Sequence, residues 1–278
     1  MVFICDQEKT TALPANHENV SSYIKNLSNG KLKSASIRIA YASISAIHRL
    51  NDLPNPTNHA SVKLELRRMH RTLGRESKQA LGINAELLKE MLNAADKSLR
   101  GRRDEALLLT AYDSMCRRSE LVSLMVNDLI IEPENRSVKI KLRRSKTDPD
   151  GLGRWLHLGM DSQSAILEWI ESSGITDGML FRGVSRGDKI AERLSAAQIS
   201  LYKRIARKSK VDQSLVKHIS GHSMRVGAAR GLLKSGASLP MMMQRGRWSK
   251  ADTVMRYLEN TTCIFTANNR SQSEWSTI

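Results

Sequence analysis

The stretch from Ser220 to Asn260 constrains this chain more than any other. It reads SGHSMRVGAARGLLKSGASLPMMMQRGRWSKADTVMRYLEN. The run Val226-Gly227-Ala228-Ala229 suits close packing of a helix against another element. Gly236 marks a helix stop, and Ser238 ahead of Pro240 marks the next start. Ser249 and Asp252 have the spacing of a capping box, with Asp in place of the usual Glu. The helix they open carries Tyr257 about two turns in. His222 and Arg225 stand three apart, which on a helix gives them one face. One short region thus collects an imidazole, a guanidinium, an indole (Trp248) and a phenol. Arginine grips phosphate bidentately, histidine moves protons near neutral pH, and tyrosine is a covalent nucleophile. Together they point to phosphoryl transfer without a metal. His218 and His222 are four apart and mimic a metal pair, but no third ligand accompanies them. Met241–Met243 reads as core.

The remaining chain is mainly helical. At helical spacing come Val20, Ile24 and Leu27, closed by Gly30. A second amphipathic helix from Ser34 places Ile37, Ala40, Ile44, Ile47 and Leu50 on one stripe. The loop 52–58 ends it. A third, basic helix runs from about Ala60 to Thr72, with Lys63, Arg67, Arg68 and Arg71 at polar positions. Residues 75–79 read as an exposed basic linker. The expected division is therefore an N-terminal helical domain over 1–76, a linker over 77–84, a second domain over 85–260 and a tail over 261–278. Helices are predicted over 84–97 and 101–115. The period then changes: Leu129–Ile131, a turn at Pro133–Asn135, and alternating Val138, Ile140 and Leu142 predict strands. Arg154–Leu158 completes a small antiparallel sheet with Lys146 at its hairpin end, and helices resume at 161–173 and 195–210.

Charge narrows the partner. Lys and Arg number 44 against 28 Asp and Glu, a net charge of +16, which favours a polyanion, most simply nucleic acid. Cys5, Cys116 and Cys263 form neither a disulfide framework nor a CxxC pair, consistent with a reducing cytosol. No run reaches transmembrane length, and MVFICDQEK has neither the length nor the charge of a signal peptide.

The order Arg117, Lys146, His222-x-x-Arg225, Trp248, Tyr257 resembles the tyrosine recombinase (phage integrase) family. The segments GHSMRVGAAR, QRGRW and LPANHENVSSYIKNL carry the likeness across nearly the whole chain. The resemblance implies a two-domain architecture: an N-terminal helical core-binding domain and a mostly helical catalytic domain with a small antiparallel sheet. It implies a site-specific recombinase that cuts and rejoins DNA through a 3′-phosphotyrosine, with no metal, cofactor or ATP. Arg117 and Arg225 then correspond to the arginines on the scissile phosphate, and Lys146 to the hairpin lysine that protonates the leaving 5′-oxygen. His222 corresponds to the second proton-transfer residue, Trp248 to the phosphate donor, Tyr257 to the nucleophile, and Glu120 to the acid that orients the site. Arg117 is preferred to Arg118 because it stands three before Glu120. Lys63, Arg67, Arg68 and Arg71 are expected to meet DNA phosphates. The implied partners are a specific double-stranded DNA site and three further copies of the chain, a homotetramer on two sites. No membrane and no small-molecule substrate are implied, and the expected location is prokaryotic, cytoplasmic and nucleoid-associated.

Three departures from the family pattern stand out. The N-terminal domain reads as shortened, lacking a helix that helps protomers touch. The tail after Asn260 lacks a clear apolar helix, with Ile264, Phe265 and Trp275 its main apolar residues. Cys116 and Arg118 flank Arg117 where relatives are more apolar. The shortened domain also fits a non-catalytic DNA-binding descendant, and the chemistry alone fits a type IB topoisomerase.

Overall fold

The computed structural model describes residues 11–30, 32–75, 80–132, 134, 137–145, 148, 150–194 and 200–258. The chain divides into two compact units between Lys78 and Gln79.

The first unit contains α1 (His17–Asn29), α2 (Ser34–Leu50) and α3 (Ala60–Leu73), with a 3-10 turn at Pro56–Asn58. Asn16 caps α1 by accepting from the Asn19 N–H at 2.7 Å. Val20, Ile24, Ile37, Ile44, Val62 and Met69 form its core. The expected stripe on α2 holds only in its first half. Ile37 and Ile44 are buried, but Ile47 and Leu50 face solvent and His48 is buried instead. A 3.6-residue period continues from Ile44 to His48, whereas the alternating threes and fours that lead to Ile47 drift off the buried face. His48 is accommodated because both ring nitrogens are used. Nε2 accepts from the Ala15 N–H at 3.0 Å, and Nδ1 lies 2.8 Å from the Ile44 carbonyl. Lys63, Arg67, Arg68 and Arg71 all stand exposed on α3, Arg68 pairing with Glu65 at 3.4 Å.

The second unit begins with α4 (Ala85–Asn93) and α5 (Leu99–Ser114), then the short α6 (Arg118–Leu121). Both long helices are capped, by Asn84 and Ser98. Next comes the sheet, β1 (Leu129–Glu132), β2 (Ser137–Leu142) and β3 (Arg154–Trp155), in order β1-β2-β3 and antiparallel throughout. Leu129 pairs with Ile140, and Lys141 with Trp155. Val138, Ile140 and Leu142 are buried while Lys139 and Lys141 are exposed, as strict alternation requires. The third strand is shorter than expected. After Trp155 one more bond, Leu156 N–H to the Ile140 carbonyl at 3.0 Å, closes the ladder. Leu156 and Leu158 are drawn into the core instead.

Six more helices follow among the described residues: α7 (Met160–Ser173), α8 (Ser200–Lys208), α9 (Gln213–Val216), α10 (Ser223–Lys234), α11 (Leu239–Gly246) and α12 (Ala251–Leu258). α8 lies within the expected 195–210, of which residues 195–199 lie outside the described ones. α5 packs along α7, and α10 packs against α5, α11 and α12. The small run on α10 permits a close approach. Val226, Gly227, Ala228 and Ala229 are all buried, and a Cβ on Gly227 would collide with the Ile83 backbone. That backbone is tied down by Ile83 N–H to the Ser223 carbonyl at 2.9 Å. α11 starts as expected, with Ser238 as cap and Pro240 in its first turn. Of its methionines only Met242 is fully buried, and Met241 is exposed. α12 starts at Ala251, two residues after Ser249. No described helix is long and apolar enough to cross a membrane.

Candidate active site

Two helices end alike beside the expected site. Met115 follows α5 with φ 51°, and Arg247 follows α11 with φ 54°. Left-handed backbone is disfavoured wherever a Cβ is present, so both turns are held by their surroundings. Each helix end carries unpaired carbonyls and partial negative charge. Guanidinium groups fill both. Arg225, on α10, donates from Nη1 to the Met115 carbonyl and from Nη2 to the Gly246 carbonyl. Arg247 donates to the Ser114 carbonyl at 2.8 Å and to the Met115 carbonyl at 3.3 Å.

Glu120 is the carboxylate at the centre, and only 4% of it is exposed. Oε2 accepts from the Arg117 N–H at 2.9 Å and from Arg247 Nη2 at 3.1 Å, while Oε1 accepts from Arg117 Nη1 at 2.7 Å. Burial, the largest single influence, raises its pKa. The Arg117 hydrogen bonds and the charges of Arg247 and Arg117 outweigh that and hold it below the ordinary carboxylate value. Arg117 caps the start of α6, with its side chain part-open to solvent. Arg118 is exposed and lies beside Gly221.

Arg225 is 1% exposed. Burial pushes its pKa down to about 10, so it stays charged at neutral pH. Its Nε is buried with no partner among the described residues. The guanidinium carbon lies 4.7 Å from the Trp248 ring centroid and 5.7 Å from that of Tyr257. The two rings are 5.0 Å apart and tilted by 41°. Trp248 is buried, and Gly246 gives its ring room, since a Cβ there would strike it.

His222 is the N-cap of α10, one residue before the helix begins, with φ −96° and ψ −8° in the helical region and its carbonyl accepting from the Val226 N–H at 2.9 Å. Its backbone N–H donates to Ser220 Oγ at 3.1 Å. Desolvation, followed by the charges of Arg225, Arg117 and Arg118, lowers its pKa and keeps the imidazole neutral at pH 7. Lys146 lies outside the described residues, as do Ile264, Phe265 and Trp275. Among the described residues no three His, Cys, Asp or Glu side chains gather as a metal site.

Arg117, Glu120, Arg225, Trp248 and Tyr257 are thus brought into one connected cluster. Arg247 joins them unexpectedly. In the sequence it is only a basic residue between Gly246 and Trp248, and neither its burial nor its left-handed backbone has a periodic signature. Three guanidiniums around one carboxylate leave an excess of positive charge beside a phenol. That arrangement suits an anionic ligand with several oxygens, above all a phosphodiester.

The sequence matches the phage integrase family over residues 83–262. It is 28% identical over 273 residues to recombinase cre of Escherichia phage P1, covering 92% of this chain and 79% of that protein. It is 27% identical over 266 residues to an integrase/recombinase xerD homolog of Selenomonas ruminantium, covering 92% and 76%. In structure it resembles the Tn1549 transposon integrase in complex with transposon right end DNA. That match has TM-score 0.63 at 14% identity and covers 87% of this chain and 80% of that one. A mainly helical fold with a three-stranded antiparallel sheet, and a sequence match spanning most of the second unit, lead to one assignment: the chain belongs to the phage integrase family of site-specific tyrosine recombinases.

Proposed function

We propose that the chain cuts and rejoins double-stranded DNA at a specific site through a 3′-phosphotyrosine on Tyr257. The observation that carries this reading is Arg225, a buried cation with an unpartnered Nε, set over the rings of Trp248 and Tyr257. In the proposed step the Tyr257 oxygen attacks phosphorus and the bond from phosphorus to the 5′-oxygen breaks. His222, held neutral, takes the phenol proton, and Lys146 gives a proton to the leaving 5′-oxygen. Arg117, Arg225 and the Trp248 N–H meet the charge that grows on the non-bridging oxygens. The phosphotyrosine conserves the bond, so attack by a 5′-hydroxyl restores the strand without ATP, and no metal is required. Four copies on two DNA sites would exchange strands pairwise. The exposed Lys63, Arg67, Arg68 and Arg71 on α3 supply phosphate contacts.

The test works on whole genomes, whatever the DNA site. The protein and Tyr257→Phe are expressed in bacteria, lysed under denaturing conditions and captured, and attached DNA is sequenced. Adducts at a recurring sequence in the parent alone are the expected outcome. Adducts that persist in Tyr257→Phe would move the nucleophile elsewhere, and a parent that never forms them would defeat the enzymatic reading.

A further inference from the structure

Arg247 occupies a position with three costs. Its backbone is left-handed with a Cβ present, its side chain is 6% exposed, and its Nε is buried without a partner among the described residues. It also adds a like charge near Arg225, one of the influences that lower the Arg225 pKa. Glycine would suit the backbone, and an apolar side chain would suit the burial. What the guanidinium does is join groups that are otherwise separate. It shares the Met115 carbonyl with Arg225 and the Glu120 carboxylate with Arg117. Its remaining bonds go to the Ser114 carbonyl at 2.8 Å and to Cys116 Sγ at 3.6 Å. Arg247 thereby connects the carbonyl end of α5, the turn after α11 and the first turn of α6.

We propose that Arg247 is a positioning residue for the recombinase site, fixing the Glu120 carboxylate so that Arg117 presents its guanidinium in register with Arg225. The inference rests on the recombinase reading for its consequence, but the linkage itself is measurable without catalysis. The Nη groups of Arg247 are engaged by two carbonyls, a sulfur and Glu120, so its proposed action runs through Glu120. Removing it leaves Arg117 bonded to Glu120 but frees that pair to shift together.

The experiment uses the full chain with Arg247→Gly and Arg247→Lys. Glycine accepts the left-handed turn, so Arg247→Gly is expected to fold, with a lower Tm than the parent because Glu120 and two buried carbonyls lose a partner. The Glu120 carboxyl, followed by 13C NMR of labelled glutamate and assigned by its absence in Glu120→Gln, should titrate about one pH unit higher in Arg247→Gly. The yield of Tyr257-linked DNA in cells should fall at least about tenfold, and Arg247→Lys, which keeps a charge near Glu120, should recover part of it. A parental adduct yield in Arg247→Gly, or an unmoved Glu120 titration, overturns the proposal. If Arg247→Gly fails to fold, the same two readouts on Arg247→Lys decide: lowered yield with a raised Glu120 value supports it, and parental values overturn it. A parent that forms no Tyr257-linked DNA sinks the recombinase reading. The positioning linkage then stands or falls on the Glu120 titration alone.

Discussion

Replacing Glu120 by Gln keeps the size of the side chain and removes its charge. The carboxylate accepts two bonds from Arg117 and one from Arg247, at 2.7 to 3.1 Å. Each charge-assisted bond is worth roughly 1.5–3 kcal/mol before the cost of burying the carboxylate is subtracted. Removing one partner of a buried pair costs about 3–5 kcal/mol, because the other charge stays behind unpaired. Here the low end applies. The Arg117 side chain is 21% exposed and can turn to water, while that of Arg247 is 6% exposed and cannot. The expected loss is therefore about 3 kcal/mol. In a unit of this size that lowers Tm by roughly 6–12 °C. The pH dependence carries a sign. Burial raises the Glu120 pKa, but the Arg117 bonds and the two arginine charges bring it below its ordinary 4.5. Its contribution is thus fully present above pH 4.5 and is lost as pH falls through the lower folded-state value. Thermal or urea unfolding of parent and variant at pH 7 and at several acid pH values reads both effects. A difference below about 1 kcal/mol at pH 7 would refute the reasoning. So would a difference that fails to narrow below pH 4.5.

Other substitutions follow from the same contacts. Gly227→Ala should destabilise the second unit by at least about 3 kcal/mol in urea unfolding, because its Cβ meets the Ile83 backbone rather than a movable side chain. Parental stability would show that α10 shifts freely. Arg225→Lys should lower adduct yield about a hundredfold, since an ammonium cannot hold the Met115 and Gly246 carbonyls and still offer a fork to phosphate. Near-parental yield would remove Arg225 from the phosphate. Binding of the Tyr257→Phe protein to duplex DNA should weaken steeply with salt, and Arg67→Gln with Arg71→Gln should reduce the log–log slope by about two. An unchanged slope would place α3 away from the DNA backbone.

Much of this protein was legible in its residues, because local physics acts on neighbours in the chain. Helical spacing located α1, α3 and α7. The switch to alternation at Val138, Ile140 and Leu142 located the sheet, and Ser238 with Pro240 located the start of α11. Gly227 within a run of small residues announced a close approach, and the approach occurs at Ile83. Arg117, Arg225, Trp248 and Tyr257 follow the family order in the sequence, and the fold brings them into one connected cluster.

Tertiary structure decided what periodicity does not contain. His48 replaced Ile47 on the buried face of α2 because Ala15 and Ile44, one of them distant in the chain, supplied partners for both its nitrogens. His222 became the N-cap of α10, its carbonyl accepting the bond from Val226, because the helix begins one residue later. Arg247 entered the site because two helices end there in left-handed turns, at Met115 and at Arg247 itself. The carbonyls those turns release, and the Glu120 carboxylate between them, come from segments more than a hundred residues apart in the chain. Residue type and spacing say which groups are available for chemistry. Which of them are desolvated, and against which partners, is set by long-range packing, and that is what fixes their charge and aim.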